Sequence, residues 1–275
     1  MTAILKPGNT AVITGGASGI GLELAQRCAG SGMKVLVVDW DSKLLESVGS
    51  VANNISTVKA DVSKPGDWAA VAAAVESELG GAVSLLALNA GIGRRSGWDD
   101  AAPFRETMGV NFFGVVNGVA ALLPMVRRAA GPAAVVITGS KQGITNPPGN
   151  PAYNASKAAV RSVAEHLAYD LRGDADPAVH LLVPGWTFTA MTGADGSREK
   201  PAGAWLASQV VDHLVVKMDE GKFYVLCPDN DVSEDTDMRR VLWSAGDLAE
   251  GRPPLTRWRE EWKERAAEFI ERKDA

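Results

Sequence analysis

Tyr153 and Lys157 stand four residues apart in a stretch of helical character that begins near Ala152, so both side chains leave the same helix face. A phenol beside an ammonium is suited to proton transfer. An unperturbed tyrosine titrates near 10, and service as a base near neutral pH needs roughly 3 to 4 kcal/mol of differential stabilisation of the phenolate. The lysine charge has the sign to supply it. Taken alone, a tyrosine and a lysine at this spacing are more often an exposed helix face than a site. Ser140 changes that balance, because it follows directly on an apolar run at 133–138 and its hydroxyl is placed to meet a substrate oxygen.

A second chemistry is written earlier in the chain, in the segment TGGASGIG from Thr14 to Gly21. Gly15, Gly19 and Gly21 let backbone approach a pyrophosphate closely, with Ser18 and Ile20 beside them, and the helix that opens there adds amide donors and a favourable dipole. A glycine triplet by itself is equally a tight strand-to-helix turn. Here it follows the first apolar run, and a second run ends at Asp39, 20 residues beyond Gly19, where a carboxylate can accept from ribose hydroxyls. The same carboxylate would repel the 2′-phosphate of NADP, and the turn holds no arginine or lysine to offset it. NAD is therefore expected in preference to NADP.

These residues need a scaffold, and its rhythm is plain. Short runs rich in valine, isoleucine and leucine recur at 11–14, 34–38, 56–60, 85–88, 133–138, 179–183 and 223–227, and read as buried parallel strands. Between them, 19–30, 68–79, 110–128, 152–172 and 204–220 have helical character. The alternation predicts an α/β fold, a Rossmann-like doubly wound, seven-stranded parallel sheet with helices on both faces and ligands beyond the carboxyl ends of its strands. We read residues 1–275 as one dinucleotide-binding catalytic domain. Two segments break the rhythm: a glycine-rich stretch at 185–203, read as a lid over the ligand, and a tail at 229–275. The tail carries Trp243, Trp258 and Trp262, too many large aromatics to leave solvated, and is expected to pack on its own body or on another subunit.

In combination these motifs resemble the short-chain dehydrogenase/reductase family in its single-domain form, over about residues 8–227. The resemblance is carried by the turn at Thr14–Gly21, Asp61-Val62, Asn89-Ala90-Gly91, Asn111, Ser140, Tyr153 with Lys157, and Pro184-Gly185. It implies that Asn111, Ser140, Tyr153 and Lys157 are catalytic, with Asn111 bending its helix and holding a water linked to the lysine. It further implies that Asp61 and Val62 hold the adenine, that Asn89, Ala90 and Gly91 line the adenosine side, and that Thr187 and Thr189 position the nicotinamide carboxamide. Asp61 could instead cap the following helix, and Asn89 could satisfy a turn. The expected reaction is hydride transfer between a secondary alcohol or its ketone and NAD, with Tyr153 as acid/base. The last strand reads FYVLCPD at 223–229, a departure from the family's usual ending, so the expected assembly is a homodimer or homotetramer in which the tail takes part.

The substrate pocket is expected from Lys141, Gln142, Ile144, Trp186, Phe188 and Met191. These are largely apolar and point to a medium-sized hydrophobic or aromatic alcohol and its ketone. Arg94, Arg95 and Lys141 could bind a carboxylate or phosphate, but are read first as solvated surface charge. A non-catalytic NAD-sensing protein and an isomerase or dehydratase using bound NAD are the rival readings. Acidic and basic residues are mixed along the chain at a net charge of −5, without the basic stripe that nucleic acid demands. No apolar window is read as reaching the roughly 20 residues of a membrane span. His166, His180 and His213 are too scattered for a metal, Cys28 and Cys227 offer no disulfide framework, and a reducing cytoplasm is expected.

Overall fold

Seven short strands line up in parallel: β1 (Thr10–Thr14), β2 (Lys34–Asp39), β3 (Ile55–Lys59), β4 (Leu85–Leu88), β5 (Ala134–Thr138), β6 (Ala178–Val183) and, after a two-stranded excursion, β9 (Tyr224–Leu226). The computed structural model describes residues 3–173, 176–194 and 199–271. The spatial order is β3-β2-β1-β4-β5-β6-β9, so the winding reverses between β1 and β4 and leaves a crevice beyond their carboxyl ends. β1 and β4 are buried at every position, which is why they read as unbroken apolar runs.

Strand alternation divides the interior into two cores. Ala11, Ile13, Val35, Val37, Leu85 and Ala87 face one layer, with Leu24 and Cys28 of α1 (Gly19–Gly30), Leu45 of α2 (Ser42–Gly49) and Leu214 of α8 (Ala207–Asp219). Val12, Leu36, Val38, Leu86 and Leu88 face the other, with Val71 of α3 (Trp68–Leu79), Leu122 of α5 (Gly114–Val126) and Val160 of α7 (Pro151–Asp170). At about 1.5–3 kcal/mol for each fully buried aliphatic side chain, these two layers fix where the strand ends lie. Cys28 and Cys227 are fully buried and burial pushes both thiols up to about 12. We expect neither to react with a disulfide reagent in the native protein at pH 8, and both to react once guanidinium unfolds it; labelling before unfolding would contradict this burial.

The helix expected over 110–128 begins earlier. It runs from Ala102 to Val126 as α4 (Ala102–Met108), a single π-helical turn (Gly109–Phe113) and α5. Its 25 residues are long and apolar enough, by length and composition, to cross a membrane, which corrects the expectation that no segment reaches that mark. In this fold the helix lies against α3 and α7, with Val115, Leu122, Met125 and Val126 buried.

In the expected lid, Thr187–Phe188 (β7) pairs in parallel with Trp205–Leu206 (β8), and Ala190–Thr192 forms a 3₁₀ turn closed by Thr189 and Thr192. The remainder of that call, at 195–198, lies outside the described residues, as does the end of the tail at 272–275. The described tail folds back on its own body. α9 (Glu234–Ala249), capped by Ser233, lies against α6 (Gln142–Thr145) and pairs with α10 (Lys263–Glu271). Trp243 is its centre: buried, donating from Nε1 to Thr256 Oγ1 at 2.9 Å, with the Arg252 guanidinium stacked 4.2 Å above the ring and Phe269 5.4 Å away.

Candidate active site

β1 ends in a turn that only glycine can build. Gly15 has φ +60°, and a Cβ there would lie 2.8 Å from the Ala90 Cα at the end of β4. A Cβ on Gly21 would lie 2.2 Å from the Gly15 carbonyl oxygen. Gly19, at φ +55°, packs against Thr189. Ser18 occupies the N-cap of α1 with extended backbone and makes no capping bond, so no side chain satisfies the first amides of that helix. An anionic group fits that opening.

Around the turn, Asp39 ends β2 buried, its Oδ2 accepting from Ala17 N at 3.1 Å and Oδ1 from Asp41 N at 3.2 Å. Each oxygen retains a second lone pair for a ribose hydroxyl. Asn89 is a stitch between strands, donating to the Thr14 and Gly15 carbonyls at 3.3 Å and accepting from Thr138 Oγ1 at 3.1 Å. Asp61 is held locally, accepting from Ser63 N and Oγ at 3.0 and 2.7 Å and pairing with Lys64. These bonds lower its pKa against burial, the largest influence, and satisfy the carboxylate in the turn before α3. Val62 packs on Gly114 and its carbonyl accepts from Trp68 and Asn117. Thr187 Oγ1 is buried without a partner and lines the cavity, a free hydrogen-bonding group of the kind a carboxamide would meet.

The residues expected to move the proton converge from three elements. α7 starts at Asn150, which accepts from Tyr153 N and from Ser96 Oγ, with Pro151 in the first turn. Tyr153 thus sits in the first turn and lines the same cavity as Ser140, just past β5, whose hydroxyl acts to lower the phenol's pKa. Lys157, one turn on, is buried and donates from Nζ to the Thr138 carbonyl at 2.7 Å, 5.9 Å from the Tyr153 ring centre. Asn111 lies in the π turn, where the extra residue accommodates a side chain that competes with helical bonding. Its amide clamps Ile92, accepting from N at 2.8 Å and donating to O at 3.0 Å, and donates to Ser156 Oγ at 2.9 Å. A Cβ on Gly91 would lie 3.3 Å from Asn111 Oδ1 and 3.6 Å from Lys157 Nζ, so both groups close on the same point.

Burial raises the Tyr153 pKa, only partly offset by Ser140, and burial brings Lys157 down to about 8. The chain's own residues therefore keep the phenol protonated at neutral pH.

All of this opens on one cavity of about 1070 Å³ at the crevice. Of the expected cofactor residues, Gly15, Ser18, Gly19, Ile20, Asp39, Asp61, Val62, Asn89, Ala90, Gly91, Pro184, Gly185, Thr187 and Thr189 line it together with Tyr153 and Lys157, whereas Gly21 and Asn111 stand behind the wall. Of the expected substrate residues, Lys141, Gln142, Trp186 and Met191 line it. Ile144 and Phe188 do not: Ile144 packs on the second core, and Phe188 pairs with Leu206 in the small sheet. Lys141 is no solvated charge. Its ammonium is buried in ion pairs with Asp229, at 3.2 Å, and with Asp237 of α9. Arg94 pairs with Glu106 at the exposed rim. The sequence reading missed the wall that the tail supplies, Asp237, Arg240, Arg257 and Trp258, for which the tryptophans were the only signal.

The family model for short chain dehydrogenase matches residues 9–200. The chain is 34% identical over 212 residues to galactitol 2-dehydrogenase (L-tagatose-forming) of Cereibacter sphaeroides, covering 74% of this chain and 82% of that protein. It is 31% identical over 198 residues to an NADP-dependent (R)-specific alcohol dehydrogenase of Lentilactobacillus kefiri, covering 70% and 77%. Its fold superposes with a TM-score of 0.80 on a short chain dehydrogenase/reductase from Burkholderia phymatum solved in complex with NAD, at 28% identity over 92% of this chain and 98% of that one.

Proposed function

The chain belongs to the short-chain dehydrogenase family of oxidoreductases, and on that premise we propose that it interconverts a secondary alcohol and its ketone using NAD, with Tyr153 as acid/base. The observation that carries the reading is the convergence of Ser140, Tyr153 and Lys157 on the same cavity as the glycine cradle and Asp39. Gly15 to Gly21 would hold the pyrophosphate, Asp39 the adenosine ribose, and Lys157 with Thr187 the nicotinamide end. Bound there, the dinucleotide supplies the hydride acceptor or donor.

The remaining work falls to the chain. Ser140 orients the substrate oxygen, and Tyr153 gives it a proton on reduction or takes one on oxidation. Its raised pKa keeps the phenol in the protonated form that ketone reduction uses, and the cofactor ratio and pH set the direction. Asn111 fixes the Ile92 backbone and Ser156, and so the wall against which Lys157 is held. A panel of alcohols and ketones followed by nicotinamide absorbance tests the reading. Tight NADH binding with no absorbance change for any of them would instead favour an NAD sensor.

NAD in preference to NADP follows from the Asp39 charge, although one relative's name specifies NADP. We expect Asp39→Asn to raise kcat/KM for NADP relative to NAD by roughly 10–100-fold, the scale of one like-charge contact near a protein surface. Equal use of both cofactors by the unaltered enzyme would remove the argument.

A further inference from the structure

The tail adds charge to the cavity beside Lys141. Lys141 is spent on Asp229 and Asp237, both of which also line the cavity. Arg240, one turn beyond Asp237 on α9, reaches that carboxylate only at 3.7 Å, and its Nε is buried with no hydrogen-bond partner. Arg257 lies flat over Trp258, 4.6 Å from the ring centre, and makes no ion pair among the described residues. Burial first and the Arg240 charge second bring Arg257 down to about 10, with Asp237 opposing. Both guanidinium groups line the same cavity, where like charges in partly dry surroundings repel and an anion bound between them would relieve the repulsion.

We propose that Arg240 and Arg257 form a carboxylate subsite, and that the substrate is an oxo or hydroxy acid with an apolar body. This rests on the reading of the cavity as an oxidoreductase site. The three cations Lys141, Arg240 and Arg257 face the two carboxylates Asp229 and Asp237, a surplus of one positive charge. That surplus matches one carboxylate rather than a doubly charged phosphomonoester. Trp186, Met191, Pro147 and Trp258 supply the apolar walls between the subsite and Ser140. The subsite connects to the reacting end through Lys141, the residue after Ser140, which shares Asp237 with Arg240.

Calorimetric titration of the full chain, with and without NADH, tests the proposal with 4-acetylbenzoate, 3-acetylbenzoate and 5-oxohexanoate, their methyl esters, and 4-acetylphenyl phosphate. At least one acid should bind ten times or more tighter than its ester. Arg257→Leu and Arg240→Leu should each weaken that acid about tenfold or more while leaving its ester and NADH unchanged, and Arg257→Lys, which keeps the charge without the fork, should lose less. Thermal denaturation checks that each variant folds. Binding of no acid, equal binding of acid and ester, equal weakening of both by the variants, or tighter binding of the phosphate would each overturn the proposal. Turnover is read separately. Arginine-dependent binding of the ketoacids without any nicotinamide absorbance change would sink the oxidoreductase reading and leave the subsite standing, whereas equal turnover of acids and esters would do the reverse.

Discussion

Tyr153→Phe should lower kcat by about 10²–10⁴-fold, the range that positioned general acid–base groups supply, while the dissociation constant for NADH stays within about twofold. The substitution removes one oxygen. It keeps the ring against Gly93 and leaves the backbone bond to Asn150 in place. Ser140 then still presents its hydroxyl, fixed by accepting from Gln142 N at 3.2 Å, but no group remains to exchange the proton. Stopped-flow measurement of single turnovers separates this from slowed product release. A variant with near-normal single-turnover rate would remove Tyr153 from the chemistry.

The second large effect concerns Lys157 and is read from stability. Its folded pKa of about 8 lies below the ordinary lysine value of 10.5, so between these pH values the unfolded chain holds a proton that the folded one has released. Stability therefore rises with pH through that window, because the buried ammonium, costly when charged, has become neutral. The contribution to ligand-free stability should grow by about 2 kcal/mol between pH 8 and pH 10. Tyr153, whose pKa is raised, works in the opposite direction only above about 10, where an unfolded tyrosine ionises first. Lys157→Met should abolish the rise. It also strips the Thr138 carbonyl of its donor, a loss of about 1–3 kcal/mol that offsets part of the relief at neutral pH. Urea midpoints across pH 7–10 for both proteins make the measurement. Parallel curves would show that the buried amine keeps an ordinary pKa.

The sheet could be read from sequence because parallel strands covered on both faces must be apolar throughout, and residues 85–88 or 134–137 leave no other interpretation. The glycine cradle was legible for a related reason: its function is steric, and only glycine meets the requirement at 15 and 21. Other features depend on partners distant in sequence. Lys141 looks like any surface lysine until α9 brings Asp237 to it. Ile144 and Phe188 have the composition of a pocket wall, but which way a short element faces is decided by what packs behind it. The burial of Tyr153 was equally hidden, because spacing reveals a charged neighbour and conceals desolvation. Arg240 and Arg257 carry no local pattern at all; their meeting is a product of the tail's own small core around Trp243.

That core has a bearing on how the protein comes into being. Lys141 emerges from the ribosome 88 residues ahead of Asp229, and further still ahead of Asp237. During that interval the first five strands have everything needed to pair, whereas this ammonium has no counter-ion to be buried with. The half of the sheet that carries the glycine turn can thus assemble while the chain is still growing, and the cavity beside Lys141 is closed only when the final helices dock.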